Sequence, residues 1–263
     1  MPGAAGLECR GASVRAGGHD LLTQATLQLR PGRFTAVLGP NGAGKSTLLS
    51  VLSGQRRPDA GEVLLDGRAL TRLRTDDLAL RRAVMPQESA VAFDFTAREV
   101  VALGRFPHRL RPHPEEESVI DQAMALTGVV ALAARVHNTL SGGEKARVHL
   151  ARVLVQLWFA RPDGAARWLL LDEPTAALDL AHQHAAMRLL RARAAEGLGV
   201  VAVLHDLNLA LRYADEVVLV RAGHAPQQGP VATLLQAPLI ETVWQTRCQA
   251  VAGEDGVAQF LFS

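Results

Sequence analysis

The chain has 263 residues, 48% of them hydrophobic and 21% charged, and a formal net charge of +2. That balance excludes a disordered chain, and the near-neutral charge with no long basic block excludes an electrostatic nucleic-acid binder. Cys9 and Cys248 lack metal-ligand spacing and fit a reducing compartment, the first residues resemble no signal peptide, and no apolar run approaches the roughly 18 residues of a membrane span. If the protein works at a membrane, it must dock onto another protein's helices.

Residues 7–30 alternate loosely around the turn Ala16-Gly17-Gly18-His19-Asp20, which predicts two antiparallel strands. The apolar run Phe34-Thr35-Ala36-Val37-Leu38 predicts a strand, and Leu48-Leu49-Ser50-Val51-Leu52 suits a helix. Between them lies Gly39-Pro40-Asn41-Gly42-Ala43-Gly44-Lys45-Ser46-Thr47, a phosphate-loop pattern in the strand-to-helix context it requires. Gly39, Gly42 and Gly44 lack the Cβ that would keep the main chain from curling around an anion, so successive N–H groups can turn inward. The positive end of the following helix adds to the attraction. Lys45 then reaches the β and γ phosphates, and the Ser46 hydroxyl offers a hard oxygen to Mg²⁺. An ordinary glycine-rich turn is the bland alternative, and only the motifs that accompany it decide between them.

Further along, Glu62-Val63-Leu64-Leu65 reads as a short strand, and Ala83-Val84-Met85-Pro86-Gln87 as a strand that stops at proline. From 96 to 135 the apolar spacing turns helical, interrupted by a proline-rich stretch at 106–114. This block reads as an inserted helical subdomain. A helix follows at about 142–159, then the strand Trp168-Leu169-Leu170-Leu171, a helix at 180–195, the strand Val200-Val201-Ala202-Val203-Leu204, and Val217-Val218-Leu219-Val220. Apolar strands with a helix between them suit parallel pairing in a sheet covered on both faces.

Two more stretches carry chemistry. Asp172 and Glu173 end a buried strand, where doubly wound sheets place their ligands, so Asp172 is expected to hold the Mg²⁺ shell and Glu173 to polarise an attacking water. Leu140-Ser141-Gly142-Gly143-Glu144 is a second glycine pair at a helix start, with Ser141 suited to cap the helix and to meet phosphate. Two phosphate-binding helix starts are redundant for one nucleotide in one chain. They make sense if two copies pack head to tail.

With these residues in hand, the chain resembles the ATP-binding cassette family over almost its whole length. Residues 39–47 are similar to its Walker A, Gln87 to its Q-loop glutamine, 140–144 to its signature and 169–173 to its Walker B. Ala177-Leu178-Asp179 is similar to its D-loop and His205 to its switch histidine. The resemblance implies a P-loop NTPase (RecA-like) α/β core with an antiparallel β subdomain and an inserted α-helical subdomain. One cassette would fill 1–263, with the core and β subdomain at about 1–87 and 160–263 and the helical subdomain at about 88–159. It implies ATP and Mg²⁺ as ligands, Glu173 as general base, His205 at the γ-phosphate, Gln87 and Lys45 beside it, and Ser46, Gln87 and Asp172 around the metal. Ser141, Gly142, Gly143 and Asp179 would act on the nucleotide of a partner copy. The family's adenine-stacking aromatic has no counterpart in Val14-Arg15-Ala16-Gly17, so adenine stacking is expected to be either lost or replaced by Arg15 or His19.

The run Val101-Ala102-Leu103-Gly104-Arg105 followed by Pro107-His108 resembles importers of iron-siderophore complexes, cobalamin and haem, and the long connection at 157–167 is similar to that of haem importer ATPases. The implied assembly is a homodimer beneath two membrane-spanning permease subunits at the cytoplasmic face of a bacterial inner membrane. A periplasmic binding protein would act indirectly, and no nucleic acid is expected. The siderophore and cobalamin importers are the alternative, and a soluble cassette that remodels nucleic acid is the rival class. The connection itself reads as a tolerated surface insertion, His108, His113, His182 and His184 as solvated side chains, and Phe93 and Phe95 as either a docking cleft or core.

Overall fold

A computed structural model describes residues 6–87, 93–253 and 256–263. In chain order it runs β1 (Leu7–Ala16), β2 (His19–Leu29), β3 (Phe34–Leu38), α1 (Lys45–Leu52), β4 (Ala60–Leu65), β5 (Arg68–Ala69), α2 (Thr75–Ala79) and β6 (Arg82–Met85). The helical block follows, α3 (Ala97–Ala102), α4 (Glu116–Leu126) and α5 (Gly142–Gln156). The α/β pattern resumes with β7 (Trp168–Asp172), α6 (Leu180–Ala195), β8 (Gly199–Val203), α7 (Leu207–Tyr213) and β9 (Glu216–Leu219). The chain closes with β10 (Gln227–Pro230), α8 (Val231–Leu234), α9 (Ala237–Trp244), β11 (Cys248–Ala252) and β12 (Ala258–Phe262).

The central sheet has the order β10-β9-β3-β8-β7-β6, parallel except for β10 at one edge. β3, β8 and β7 are buried along their whole length, which is why they read as continuous apolar runs. Successive side chains point to opposite faces, so Leu169 and Leu171 join one core layer with α6 and α7, and Trp168 and Leu170 join another with α1 and the β1–β2 hairpin. The second layer is closed by a four-stranded antiparallel sheet in the order β2-β1-β4-β5. This architecture bears out the expected ATPase fold.

The helical block has its own apolar cluster, and α5 belongs to both. Val148, Ala151 and Val155 face α3 and α4, whereas Leu150, Val153 and Leu154 face the central core. A helix apolar on two sides is how a chain welds a helical insert to a sheet. Both α3 and α5 start with a capping box: Ser141 and Glu144 exchange bonds at α5, and Thr96 and Glu99 do so at α3.

The expected helix at 142–159 ends three residues early. Arg167 donates to the carbonyls of Leu157 and Trp158, giving the last turn an alternative to further helix. The connection that follows is therefore not a plain surface insertion. The chain is irregular from Leu157 on, yet Trp158 and Phe159 pack on the helical cluster and Arg193 lies 5.5 Å over the Trp158 ring, so the exposed loop begins only beyond them. It enters β7 at Trp168, the end of the sheet opposite the strand ends discussed below.

Trp168 also explains one glycine. It pairs with Gly199 across β7 and β8, and a Cβ on Gly199 would lie 2.3 Å from the indole ring. The ring covers the glycine because nothing else can occupy that space. Gly199→Ala should therefore destabilise the fold by about 1–3 kcal/mol, as overpacking does, read as a lower midpoint in urea unfolding with an unchanged slope.

Candidate functional site

The order of the parallel strands decides what meets at their C-terminal ends. From β3 to β6 the sheet edge presents in turn the loop at 39–44, His205 after β8, Asp172 and Glu173 at the end of β7, and Gln87 after β6. A cleft on this edge is lined by Leu21, Asn41, Gly42, Gly44, Lys45, Ser46, Thr47, Gln87, Glu173 and His205. Crevices outside the strand ends of open α/β sheets are where such folds bind ligands.

The loop is held from both flanks. Gly39 has φ +152 and a Cβ there would fall 2.1 Å from the Val220 carbonyl oxygen. Gly44 has φ +100, and its Cβ would fall 2.2 Å from the carbonyl oxygen of Leu21. One contact comes from the segment after β9 and the other from β2, so the loop is wedged between the two sheets. Glycine is required at both positions by close backbone approach as well as by torsion.

Lys45 is buried and donates to the carbonyls of Gly39 and Pro40 at 2.9 and 3.0 Å. Burial lowers its pKa, and the charges of Glu173 and Asp172 act in the opposite sense. Asp172 is 8% exposed and accepts from Ser46 Oγ at 3.2 Å. Burial raises its pKa, the Ser46 bond lowers it, and nearby Glu173 raises it further. A buried carboxylate destabilised in this way favours a neighbouring cation, and the two adjacent hard oxygens of Asp172 and Ser46 fit Mg²⁺.

Glu173 sits in the left-handed region at φ +51, an unfavourable conformation for a side-chain-bearing residue. Its carboxylate is bracketed, with Gln87 Nε2 donating to Oε2 at 3.0 Å and His205 Nε2 2.6 Å from Oε1. Two residues far apart in sequence, Gln87 and His205, thus converge on one carboxylate.

Ser141, Gly142, Gly143 and Asp179 stand apart from this cleft. Gly142 and Gly143 pack on Ala177 of the same chain, where a Cβ on Gly143 would lie 2.9 Å from its carbonyl oxygen. Asp179 caps α6 by accepting from the His182 N–H and also bonds the His182 ring at 2.9 Å. Arg15 and His19 do not line the cleft either, and Arg15 is ion-paired with Asp20 at 2.6 Å. The apolar residue at that end is Leu21, which a motif search misses because a leucine in a strand carries no signature.

The expected solvation of the histidines is corrected at two of four positions. His108 is half-buried against the Gln156 carbonyl at 2.9 Å, and burial lowers its pKa. His184 bonds the Tyr213 hydroxyl at 2.8 Å, whereas His113 is exposed as expected and stacks on Phe159 at 3.7 Å. The fourth, His182, is partly exposed and tied to Asp179. No group of three or more histidine, cysteine or acidic side chains gathers to hold a metal among the described residues. Phe95 packs on the helical cluster, whereas Phe93 is 71% exposed. The cleft expected after Gln87 falls on 88–92, outside the described residues.

A glycine loop gripping a buried lysine at the edge of a parallel sheet, beside a strand ending in two acids, defines a P-loop ATPase. The pattern of the ABC transporter family matches residues 22–176. The Hemin import ATP-binding protein HmuV of Gloeobacter violaceus is 49% identical over 237 residues, 90% of this chain and 86% of that one. Its namesake in Myxococcus xanthus is 47% identical over 250 residues, 93% and 92% of the two chains. Among solved structures, an inward-facing putative metal-chelate type ABC transporter superposes with a TM-score of 0.79 at 25% identity, covering 98% of this chain and 97% of that one. A dimeric post-hydrolysis ATP-binding cassette bound to ADP and Pi superposes with a TM-score of 0.74 at 26% identity, covering 86% and 98%. The chain belongs to the ABC transporter family and is an ATP-binding ATPase of it.

The wedge around the loop has a direct test. Gly44→Ala must push the Leu21 carbonyl away, so ATP affinity should fall at least about tenfold in a fluorescent-nucleotide titration while far-ultraviolet circular dichroism stays parental. Parental affinity would mean that the loop is not held as described.

Proposed function

We propose that this protein is the ATP-hydrolysing subunit of an importer for haem, working as a homodimer beneath two membrane-spanning permease subunits. A periplasmic binding protein would deliver the cargo, and the chain would sit at the cytoplasmic face of a bacterial inner membrane. Support for the cargo comes from the hemin-import relatives, which match over most of both chains. No helix among the described residues is long and apolar enough to cross a membrane, so the passage itself belongs to partner subunits. The helices at about 88–159 are on this reading the unit that faces those subunits, and 1–87 with 160–263 the core and β part.

The observation that carries the catalytic reading is the carboxylate of Glu173, bracketed by Gln87 and His205 at the mouth of the phosphate loop. Lys45 exchanges the Gly39 and Pro40 carbonyls for β- and γ-phosphate oxygens. The loop N–H groups and the start of α1 stabilise the negative charge. Ser46 and Asp172, with Gln87 beside them, would hold Mg²⁺, which when bound would supply positive charge against the triphosphate. Glu173 accepts a proton from water as the water oxygen bonds to the γ-phosphorus and the bond to the bridging oxygen breaks, leaving ADP and phosphate. His205 orients the Glu173 carboxylate and reaches the γ-phosphate. Ser141, Gly142, Gly143 and Asp179 lie off their own chain's cleft, as residues would that complete a partner's.

Two measurements test this. Glu173→Gln should retain ATP but release phosphate at least about 100-fold more slowly, and accumulate as a nucleotide-bound dimer in size exclusion. Parental turnover would remove Glu173 from the role of base. For the cargo, the chain reconstituted with its permease should hydrolyse ATP faster when the binding protein carries haem, and equal stimulation by siderophore- or cobalamin-loaded proteins would contradict the haem assignment.

A further inference from the structure

The link from β8 to α7, residues 204–206, carries His205 and is tied at both ends. Upstream, the Leu204 N–H donates to the Val37 carbonyl at 3.1 Å and so continues the bonding of the sheet. Downstream, Asp206 caps α7 by accepting from the N–H groups of Asn208 and Leu209 at 2.7 and 3.2 Å. Asn208 is held in turn by β12: its side-chain oxygen accepts from the Phe260 N–H at 2.8 Å, and its Nδ2 donates to the Phe260 carbonyl at 3.2 Å. One residue of a neighbouring strand would make the same pair of bonds. Phe260 is the middle residue of β12 and sits opposite Ala250 of β11. In an antiparallel ladder the N–H and carbonyl of one residue point to the same side, so those of Phe260 turn from β11 toward α7. The Phe260 ring is 3% exposed and lies in the core layer that holds Leu207, Leu209 and Ala210. One buried ring and one amide thus fasten the hairpin to the first turn of α7, and neither Asn208 nor Phe260 lines the cleft.

We infer that Asn208 is a positioning residue for hydrolysis: it couples the β11–β12 hairpin to α7 and so fixes His205 against the Glu173 carboxylate. This rests on the roles proposed above for Glu173 and His205. His205 Nε2 lies 2.6 Å from Glu173 Oε1, and a shift of about 1 Å takes such a contact out of hydrogen-bond range. Misplacement of that size near the reacting atoms costs about 100-fold in rate. An amide suits the task because it offers a donor and an acceptor together, whereas an aliphatic side chain would leave the Phe260 N–H and carbonyl unpaired. The first turn of α7, and the link before it, would then lose their lateral support. The triphosphate is held by the loop at 39–47, so binding does not depend on this support and turnover does.

The test measures ATP affinity and single-turnover phosphate release, which resolves slow rates, in the parent, Asn208→Ala, His205→Ala and the double variant. Asn208→Ala should bind ATP within about twofold of the parent and release phosphate at least about tenfold more slowly. In the His205→Ala background the same substitution should change the rate less than about twofold, because the group it positions is gone. Asn208→Asp is isosteric and keeps the acceptor but not the donor, so it should show the same split between rate and affinity even if the alanine variant folds poorly. A parental rate in both Asn208 variants overturns the inference. So does an equal loss of rate with and without His205, or a loss of affinity at unchanged kcat, since the amide would then support only the fold or the loop. Failure of the underlying reading looks different: His205→Ala would itself release phosphate at the parental rate, which would remove the histidine and this role with it.

Discussion

The fold turns on a wedge. The loop at 39–44 can face anions because two carbonyl oxygens, from Val220 and Leu21, press on Gly39 and Gly44 from opposite flanks. One flank belongs to the parallel sheet and the other to the antiparallel one, so the phosphate cradle exists only where the two layers are packed together. The core layer that joins them, with Val37, Leu48, Leu170 and Val203, also takes in Ala43 of the loop and Val220, so the packing of the two sheets sets the geometry of the site. Anion binding in this protein is thus a property of tertiary packing as much as of glycine content.

The second constraint is strand order. Because β8 and β7 lie between β3 and β6, His205 and Glu173 fall between the phosphate loop and Gln87. Glu173 then collects both neighbours on one carboxylate in a backbone conformation that costs energy. Gln87 also heads the segment that leads into the helical block, and α5 ties that block to the core from both of its apolar sides. A shift at the Glu173 carboxylate therefore has a covalent route, through Gln87, and a packed route, through α5, to the surface that would meet a membrane subunit.

Much of this was legible from residue patterns, and the exceptions are instructive. The bounds of α6 follow from local chemistry, an Asp179 cap at one end and Gly197 at φ +99 just past the other, and the inner strands of the parallel sheet announce themselves as apolar runs. The family, the ATPase class and the fold were accordingly readable. Strand order was not, because nothing in the spacing of Gln87, Glu173 and His205 says that the first and last meet on the Glu173 carboxylate. The end of α5 was misplaced because its terminator, Arg167, acts from ten residues downstream of Leu157. His108 and His184 look solvated, one beside a proline and one on a polar helix, yet tertiary partners bury or bond them. Leu21 was invisible for the opposite reason, since an apolar residue in a strand is the commonest of all patterns.

The most direct test of the account is the structure of the protein with Mg²⁺ and a non-hydrolysable ATP analogue. The account predicts triphosphate in the cleft at the β3, β8, β7 and β6 strand ends, the Lys45 ammonium moved from the Gly39 and Pro40 carbonyls to phosphate oxygens, and Gly39 and Gly44 still against Val220 and Leu21. A nucleotide bound elsewhere, or a cradle that forms only after those two contacts open, would contradict it.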